Sequence, residues 1–334
     1  MLYAIWLSRL KGFSLKQKRE LVSQYGSFEG VFDALKAGYV SPNTGLEEAK
    51  RILEACNRKG IFIKAYADFG VQDRPDLPLI LYCRGNWKET CGSVGIVGTR
   101  RCTEYGKKIT SETASLLAKE GVAIISGMAK GIDACAHSAA IKAGGYTVAV
   151  LGNGPDICFP SEHRSLMEAI IDSGLIVSEY PPGFPGSPAT FPQRNRIIAA
   201  FSDRLLVVES RKKGGALITA KLAKRYGKQV FAVPGRLDSL ESEGTNMLIA
   251  KDGAKLWLPE YCRGENTQLS FTELLIPDHN ENRIMAKLKA HQGSICLTDL
   301  ASELDLEMTK LMEEVTELEI EDAVYTEGDV LWLR

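Results

Sequence analysis

Six short apolar runs, spaced by helix-length stretches, constrain this chain more than any other feature. They are Val94–Val97, Val122–Ser126, Thr147–Leu151, Leu175–Ser178, Leu205–Val208 and Gln229–Val233. The first three run directly into Gly98, Gly127 and Gly152. A strand that is apolar on both sides has to be covered on both sides. Strands of this kind alternating with helices build a parallel sheet between two helical layers. The expected fold is therefore α/β: an extended Rossmann-like, doubly wound, mostly parallel sheet. Ligands in such folds sit beyond the C-terminal strand ends, so the residues that follow each run are the candidates for function.

The chain has 334 residues, room for two to three domains. Residues 1–70 are expected to form a small helical domain of the SAM or helix-hairpin-helix kind. Leu15–Tyr25 and Glu29–Ala37 carry helical spacing, and Gly12, Gly26 and Gly38 act as breakers. The turn Leu10–Ser14 is similar to a helix-hairpin-helix turn, whose backbone amides can hold a phosphate; the alternative is a structural or interaction role. Residues 71–258 form the expected Rossmann-like domain, with an added strand at Leu79–Cys83, and 259–277 a linker. Residues 278–334 read as three helices and a two-stranded wing, a winged helix, with Thr298 capping the second helix. In the third helix Met308, Leu311, Met312, Val315 and Leu318 share a face and are expected to pack inward. Its outward positions are Glu307, Thr309, Lys310, Glu313, Glu314, Thr316, Glu317 and Glu319.

Composition excludes several classes. No run of 18 apolar residues exists, so no membrane helix is expected. The N-terminus lacks a basic stretch ahead of its apolar residues, so a cytoplasmic protein is expected. Eight cysteines without C-x-x-C spacing give no zinc site and read as reduced thiols. Neither the four histidines nor the acidic residues make a metal or catalytic constellation, so no catalytic residue, metal or cofactor is expected. The net charge of −1 conceals an asymmetry: residues 278–334 hold 14 acidic and 5 basic side chains. The remainder is mildly basic and suits a polyanion, whereas the tail repels one.

The strand ends carry phosphate chemistry. Gly98-Thr99-Arg100 joins a small residue, for close backbone approach, to a planar cation. Gly127-Met128-Ala129-Lys130-Gly131 places a second cation between two glycines, and Asp133 is positioned to cap the helix that follows. Phe191-Pro192-Gln193-Arg194-Asn195-Arg196 sets two arginines beside a ring. Arginines hold phosphates and a ring stacks on a base; the alternatives are a core Phe191 and an Arg194 paired with Glu179 or Glu209. Gly214-Gly215, leading to Thr219, is a further glycine-rich helix entry. Several such turns along one edge suit a strand with repeated phosphates. The pattern is not the G-x-G-x-x-G fingerprint, so NAD is not implied.

In order and spacing these motifs resemble the DprA (Smf) family. The resemblance runs through Gly98-Thr99-Arg100, Gly127–Ala134, Ser178-Glu179-Tyr180-Pro181-Pro182-Gly183, Phe191–Ala199, Val207-Val208-Glu209, Leu217–Ala220, Ala232–Gly235 and Gly244–Ile249. It implies a homodimer that binds and protects single-stranded DNA and hands it to the recombinase RecA during natural transformation. It further implies that Gly98, Thr99, Arg100, Lys130, Phe191, Arg194 and Asn195 line the DNA pocket. The chain departs from the family pattern at Gly214-Gly215, where serine-glycine is common, and at Lys130, where arginine is common. Two rivals from the wider superfamily are a small-nucleotide sensor and a nucleoside-monophosphate hydrolase. The hydrolase signature P-G-G-x-G-T-x-x-E is missing.

Overall fold

The computed structural model describes residues 1–38, 45–72, 74–258, 283–291, 293–320 and 323–333. They form two compact units, Met1–Arg263 and Gly264–Arg334.

The first unit is built on β1 (Phe62–Ala65), β2 (Ile80–Gly85), β3 (Ser93–Val97), β4 (Ala123–Ser126), β5 (Thr147–Leu151), β6 (Leu175–Ser178), β7 (Arg204–Val207), β8 (Gln229–Ala232) and β9 (Lys255–Leu256). They form one sheet in the order β1-β2-β6-β5-β4-β3-β7-β8-β9. All six apolar runs are strands, and from β6 to β9 every neighbouring pair is parallel. β2 turns antiparallel against β6 and carries β1 as an antiparallel edge. β1 lies inside the stretch expected to be helical; an edge strand of four residues is too short to show a period.

The helices are α1 (Leu2–Arg9), α2 (Leu15–Tyr25), α3 (Phe28–Gly38), α4 (Leu46–Arg58), α5 (Glu104–Lys119), α6 (Ile132–Lys142), α7 (Arg164–Ser173), α8 (Thr190–Phe201), α9 (Gly215–Arg225) and α10 (Glu243–Ala250). Strand residues alternate between two cores. Leu205 and Val207 face Ile197, Ile198 and Ala220 of α8 and α9. Leu206 and Val208 face Leu117, Ala136 and Ala140 of α5 and α6. Burying both faces is what continuous apolar strands require. α1, α3 and α4 pack on Leu79, Ile80 and Tyr82, so the N-terminal helices share a core with the sheet edge. In the Leu10–Ser14 turn, the Leu10 amide donates to Leu7 O and the Ser14 amide to Gln17 Oε1. Both are spent on the helix ends rather than left for a phosphate.

The second unit comprises α11 (Arg283–Ala290), β10 (Ser294–Cys296), α12 (Leu297–Leu304), α13 (Met308–Ile320), β11 (Val324–Glu327) and β12 (Val330–Leu333). Its sheet order is β10-β12-β11. Leu311, Val315 and Leu318 enter its core with Ile284, Leu300 and Leu331. Met308 and Met312, expected inward, are 41% and 38% exposed. They flank the stripe of buried residues, and a core this small covers only its centre. Cys296, not Thr298, occupies the N-cap of α12, because the helix starts at Leu297. Glu307 and Lys310 are exposed. The linker expected at 259–277 and the side chains of Thr309, Glu313, Thr316, Glu317 and Glu319 lie outside the described residues.

Candidate nucleic-acid interface

The strand order reverses between β3 and β7: the chain winds outward from β3 through β4, β5 and β6, then crosses to β7. A crevice forms outside the carboxyl ends at such a switch point. Here it is a cleft of about 960 Å³, lined by Gly98–Arg101 after β3, Pro185–Pro188 and the start of α8, and Ser210, Arg211 and Lys213–Ala216 after β7. Of the twelve residues singled out in the sequence, Gly98, Thr99, Arg100, Phe191, Arg194, Asn195, Gly215 and Thr219 line it.

Tight backbone packing builds the floor. Thr99 N donates to Glu209 O at 2.8 Å, which joins the ends of β3 and β7. A Cβ on Gly98 would lie 3.0 Å from Glu209 O and 2.9 Å from Ile132 Cβ, so only glycine lets the strand end and α6 meet. Gly131 takes φ +80° in the turn after β4, and Ile132 N reaches Thr99 O at 3.3 Å. A side chain at Gly131 would run into the Thr99–Arg100 backbone. Gly131 thus sets where Arg100 emerges without lining the cleft itself.

Five cations and two carboxylates line the cleft, and four of the cations lie shallower than the carboxylates. Arg100, Arg101, Arg211 and Lys213 are exposed, whereas Asp133 and Glu241 are buried. Glu241 accepts from Arg211 at 2.6 Å. Asp133 does not cap α6: that position falls on Gly131, and Asp133, already inside the helix, folds back to accept from Ala129 N at 3.4 Å. Burial, opposed by the nearby Arg194, holds the Asp133 carboxyl above its ordinary pKa. A phosphate approaching from solvent therefore meets cations first.

Arg194 is a buried cation under the floor. Its guanidinium donates to Gly127 O at 2.7 Å and to Val150 O, tying α8 to the ends of β4 and β5. It pairs with neither Glu179 nor Glu209. Glu209 accepts from Thr103 N and Oγ1 at the cap of α5, and Glu179 is held at 2.6 Å by Arg196. Burial pushes the Arg194 pKa down to about 10, with Asp133 opposing the shift, so the charge persists at neutral pH. Gly127 lies against this guanidinium, where a Cβ would collide with it.

Lys130 and Arg196 lie outside the lining. Lys130 is exposed and pairs with Glu162 at 2.8 Å. Residues missed in the sequence include Arg101, Arg211, Lys213, Glu241 and Phe159. Phe159 follows the third apolar run, whose end, Gly152-Asn153-Gly154, repeats the strand-end signal of the others. Lys213 directly precedes Gly214-Gly215. Among the described residues, no cluster of three or more His, Cys, Asp or Glu is arranged to hold a metal, and no helix is long and apolar enough to cross a membrane.

The family model for DNA recombination-mediator protein A matches residues 61–261, the span that carries the sheet and the cleft. The chain belongs to the DprA family. It is 44% identical to the Smf protein of Synechocystis over 191 residues, which are 56% of this chain and 48% of that protein. It therefore spans about half the length of that curated relative. The crystal structure of DprA from Streptococcus pneumoniae superposes with a TM-score of 0.64 at 30% identity, covering 77% of this chain and 94% of that one. A Helicobacter pylori DNA processing protein A, described for its single-stranded DNA binding mode, superposes at 0.54 and 33% identity, over 60% and 93% of the two chains. The expected DprA membership and the large, mostly parallel α/β sheet are both borne out.

Proposed function

We propose that this DprA-family chain binds single-stranded DNA in the cleft between β3 and β7. The observation that carries this reading is the set of exposed cations Arg100, Arg101, Arg211 and Lys213 around a switch-point crevice that also holds exposed aromatic surface. Phosphates lie on the cations and bases on the apolar wall, the combination that serves single strands. A rigid duplex keeps its bases stacked inside and offers nothing to that wall. Arg100, after β3, and Lys213, after β7, each hold one phosphate, and Gly98, Thr99, Asn195 and Gly215 supply close backbone or polar contact. Thr219 and Arg194 support the floor from below.

The acidic groups in and near the crevice are committed to protein partners: Glu209 to Thr103, Glu179 to Arg196, Asp133 to the turn after β4 and Glu241 to Arg211. This favours binding over hydrolysis. The large cleft suits a run of nucleotides more than one mononucleotide, which favours a strand-binder over a sensor. In the cell the protein acts in the cytoplasm as a homodimer. It shields incoming strands and passes them to RecA during natural transformation. The C-terminal unit is a winged helix whose acidic character suits protein contact rather than DNA.

A gel-shift with single- and double-stranded DNA of equal length, followed by nuclease challenge and addition of RecA, tests this. The expected result is tight, protective binding of the single strand and faster RecA filament growth on it. Equal or stronger binding of the duplex contradicts the reading.

A further inference from the structure

We infer that Phe159, rather than Phe191, is the ring on which a nucleobase of the bound strand stacks, with Phe191 as its fixed backing. This rests on the reading of the cleft as a single-strand site and identifies the residue that reads base surface within it.

A ring can stack on a base only through a free face. Phe191 has little to offer. Its ring lies against Gly152 at the end of β5, where a Cβ would stand 2.8 Å from Phe191 Cδ1. A Cβ on Gly186 would stand 3.4 Å from Phe191 Cζ, so that loop runs close to the tip of the ring. Phe159 covers it from the cleft, with ring centroids 5.1 Å apart and planes tilted by 33°. Phe191 is thus half-buried and hemmed in.

Phe159 is the outer ring of the pair. It lines the cleft and is 49% exposed. Leaving half a phenyl ring in water forgoes part of the stabilisation its burial would give, and the fold gains nothing visible in return. The loop that carries the ring is also held in place. Asn153 Nδ2 donates to Ile157 O at 2.6 Å and Ile157 N to Gly154 O at 3.0 Å, which closes the loop leading to it. His163 N donates to Pro160 O at 3.1 Å just beyond it. A pre-positioned ring loses little freedom when a base lands on it. With Arg100 and Arg101 lining the same cleft, a strand whose phosphates rest on these cations presents its bases to this wall.

The test compares the full chain with its Phe159→Leu and Phe191→Leu variants, since leucine keeps apolar bulk but cannot stack. Each is titrated by fluorescence anisotropy against an oligothymidine strand and an abasic deoxyribose-phosphate strand of equal length. Stacking is worth roughly 5- to 150-fold in affinity per base. The expected result is a loss of about tenfold or more for Phe159→Leu on oligothymidine, with abasic affinity and salt dependence unchanged. Phe191→Leu is expected to stay within about threefold on both strands. A parent that binds while Phe159→Leu matches it on oligothymidine, or while Phe191→Leu takes the larger loss, overturns the inference and leaves the cleft reading standing. An equal loss on both strands for Phe159→Leu also overturns it, because the ring then serves the backbone. A parent that binds neither strand removes the cleft reading and this inference together.

Discussion

Arg194 donates to the carbonyl of Gly127 at 2.7 Å from a position almost wholly out of solvent. This contact and the one to Val150 O join α8 to two strand ends under the cleft. Removing the guanidinium leaves both carbonyls without this donor and Asp133 without its nearest opposing charge. Each unsatisfied buried group costs about 1–3 kcal/mol. Arg194→Ala is expected to lose about 3 kcal/mol or more of stability in urea unfolding, and Arg194→Lys most of that, because an ammonium lacks the fork geometry. A loss below about 1 kcal/mol for Arg194→Ala would show that the contact is incidental.

Gly131 makes a separate prediction about geometry. Alanine there is strained by the positive φ, at about 1–3 kcal/mol, and collides with the Thr99–Arg100 backbone. Gly131→Ala is expected to weaken DNA binding by about tenfold or more while the protein stays folded. Gly144→Ala, also at positive φ but with open space around it, carries the strain without the collision and serves as the comparison. Equal DNA affinity in the two variants would refute the idea that Gly131 positions Arg100.

His137 sets a pH dependence. It is fully buried, and its Nδ1 meets Thr147 Oγ1 at 2.6 Å. Because that hydroxyl donates to Ile124 O, Nδ1 carries the hydrogen of this pair. Burial, then Arg194 and His163, push its pKa from the ordinary 6.5 down to about 3. Below pH 6.5 the unfolded chain binds a proton that the native chain refuses, so stability falls as pH drops toward 3. The slope from one such group is about 1.4 kcal/mol per pH unit. Asp133, raised by burial, titrates with the opposite sign, so the test is a difference between variants. His137→Gln is expected to be less stable at neutral pH but to show a slope shallower by about that amount between about pH 6 and 4.5. Parallel slopes would mean that His137 is protonated in the native protein.

The sheet was legible because its strands are buried on both faces, which leaves uninterrupted apolar runs at Val94–Val97 or Leu205–Val208. Strand-end glycines then pointed to the cleft. What sequence does not carry is which neighbour a charge meets. Lys130 and Lys213 both sit at glycine-rich strand ends, yet Glu162, far along the chain, holds the first outside the lining, while the second faces the cleft. Arg194 and Arg196 are two residues apart on α8. The helical turn sends one under the floor and the other to Glu179. Phe159 could not be singled out because it lies in a loop and meets Phe191 of α8 only in the folded chain.

The acidic C-terminal unit bears no expected DNA contact. Like charges near phosphates lower affinity, so a chain truncated after Leu258 is expected to keep its single-strand affinity within about threefold. A hundredfold loss, with the truncated chain folded and its oligomeric state unchanged, would place DNA contacts on that unit.

The cations around the β3–β7 crevice are expected to hold the strand. The most direct measurement is the salt dependence of single-strand affinity for the parent and for the combined Arg100→Ala, Arg101→Ala, Lys213→Ala variant, with Lys130→Ala as control. Each phosphate contact contributes about 0.7 to the slope of log affinity against log salt. The combined variant is expected to show a slope flatter by about 2 and weaker binding at low salt, and Lys130→Ala a parental slope. A combined variant that keeps the parental affinity and slope would contradict this and move the DNA to another surface.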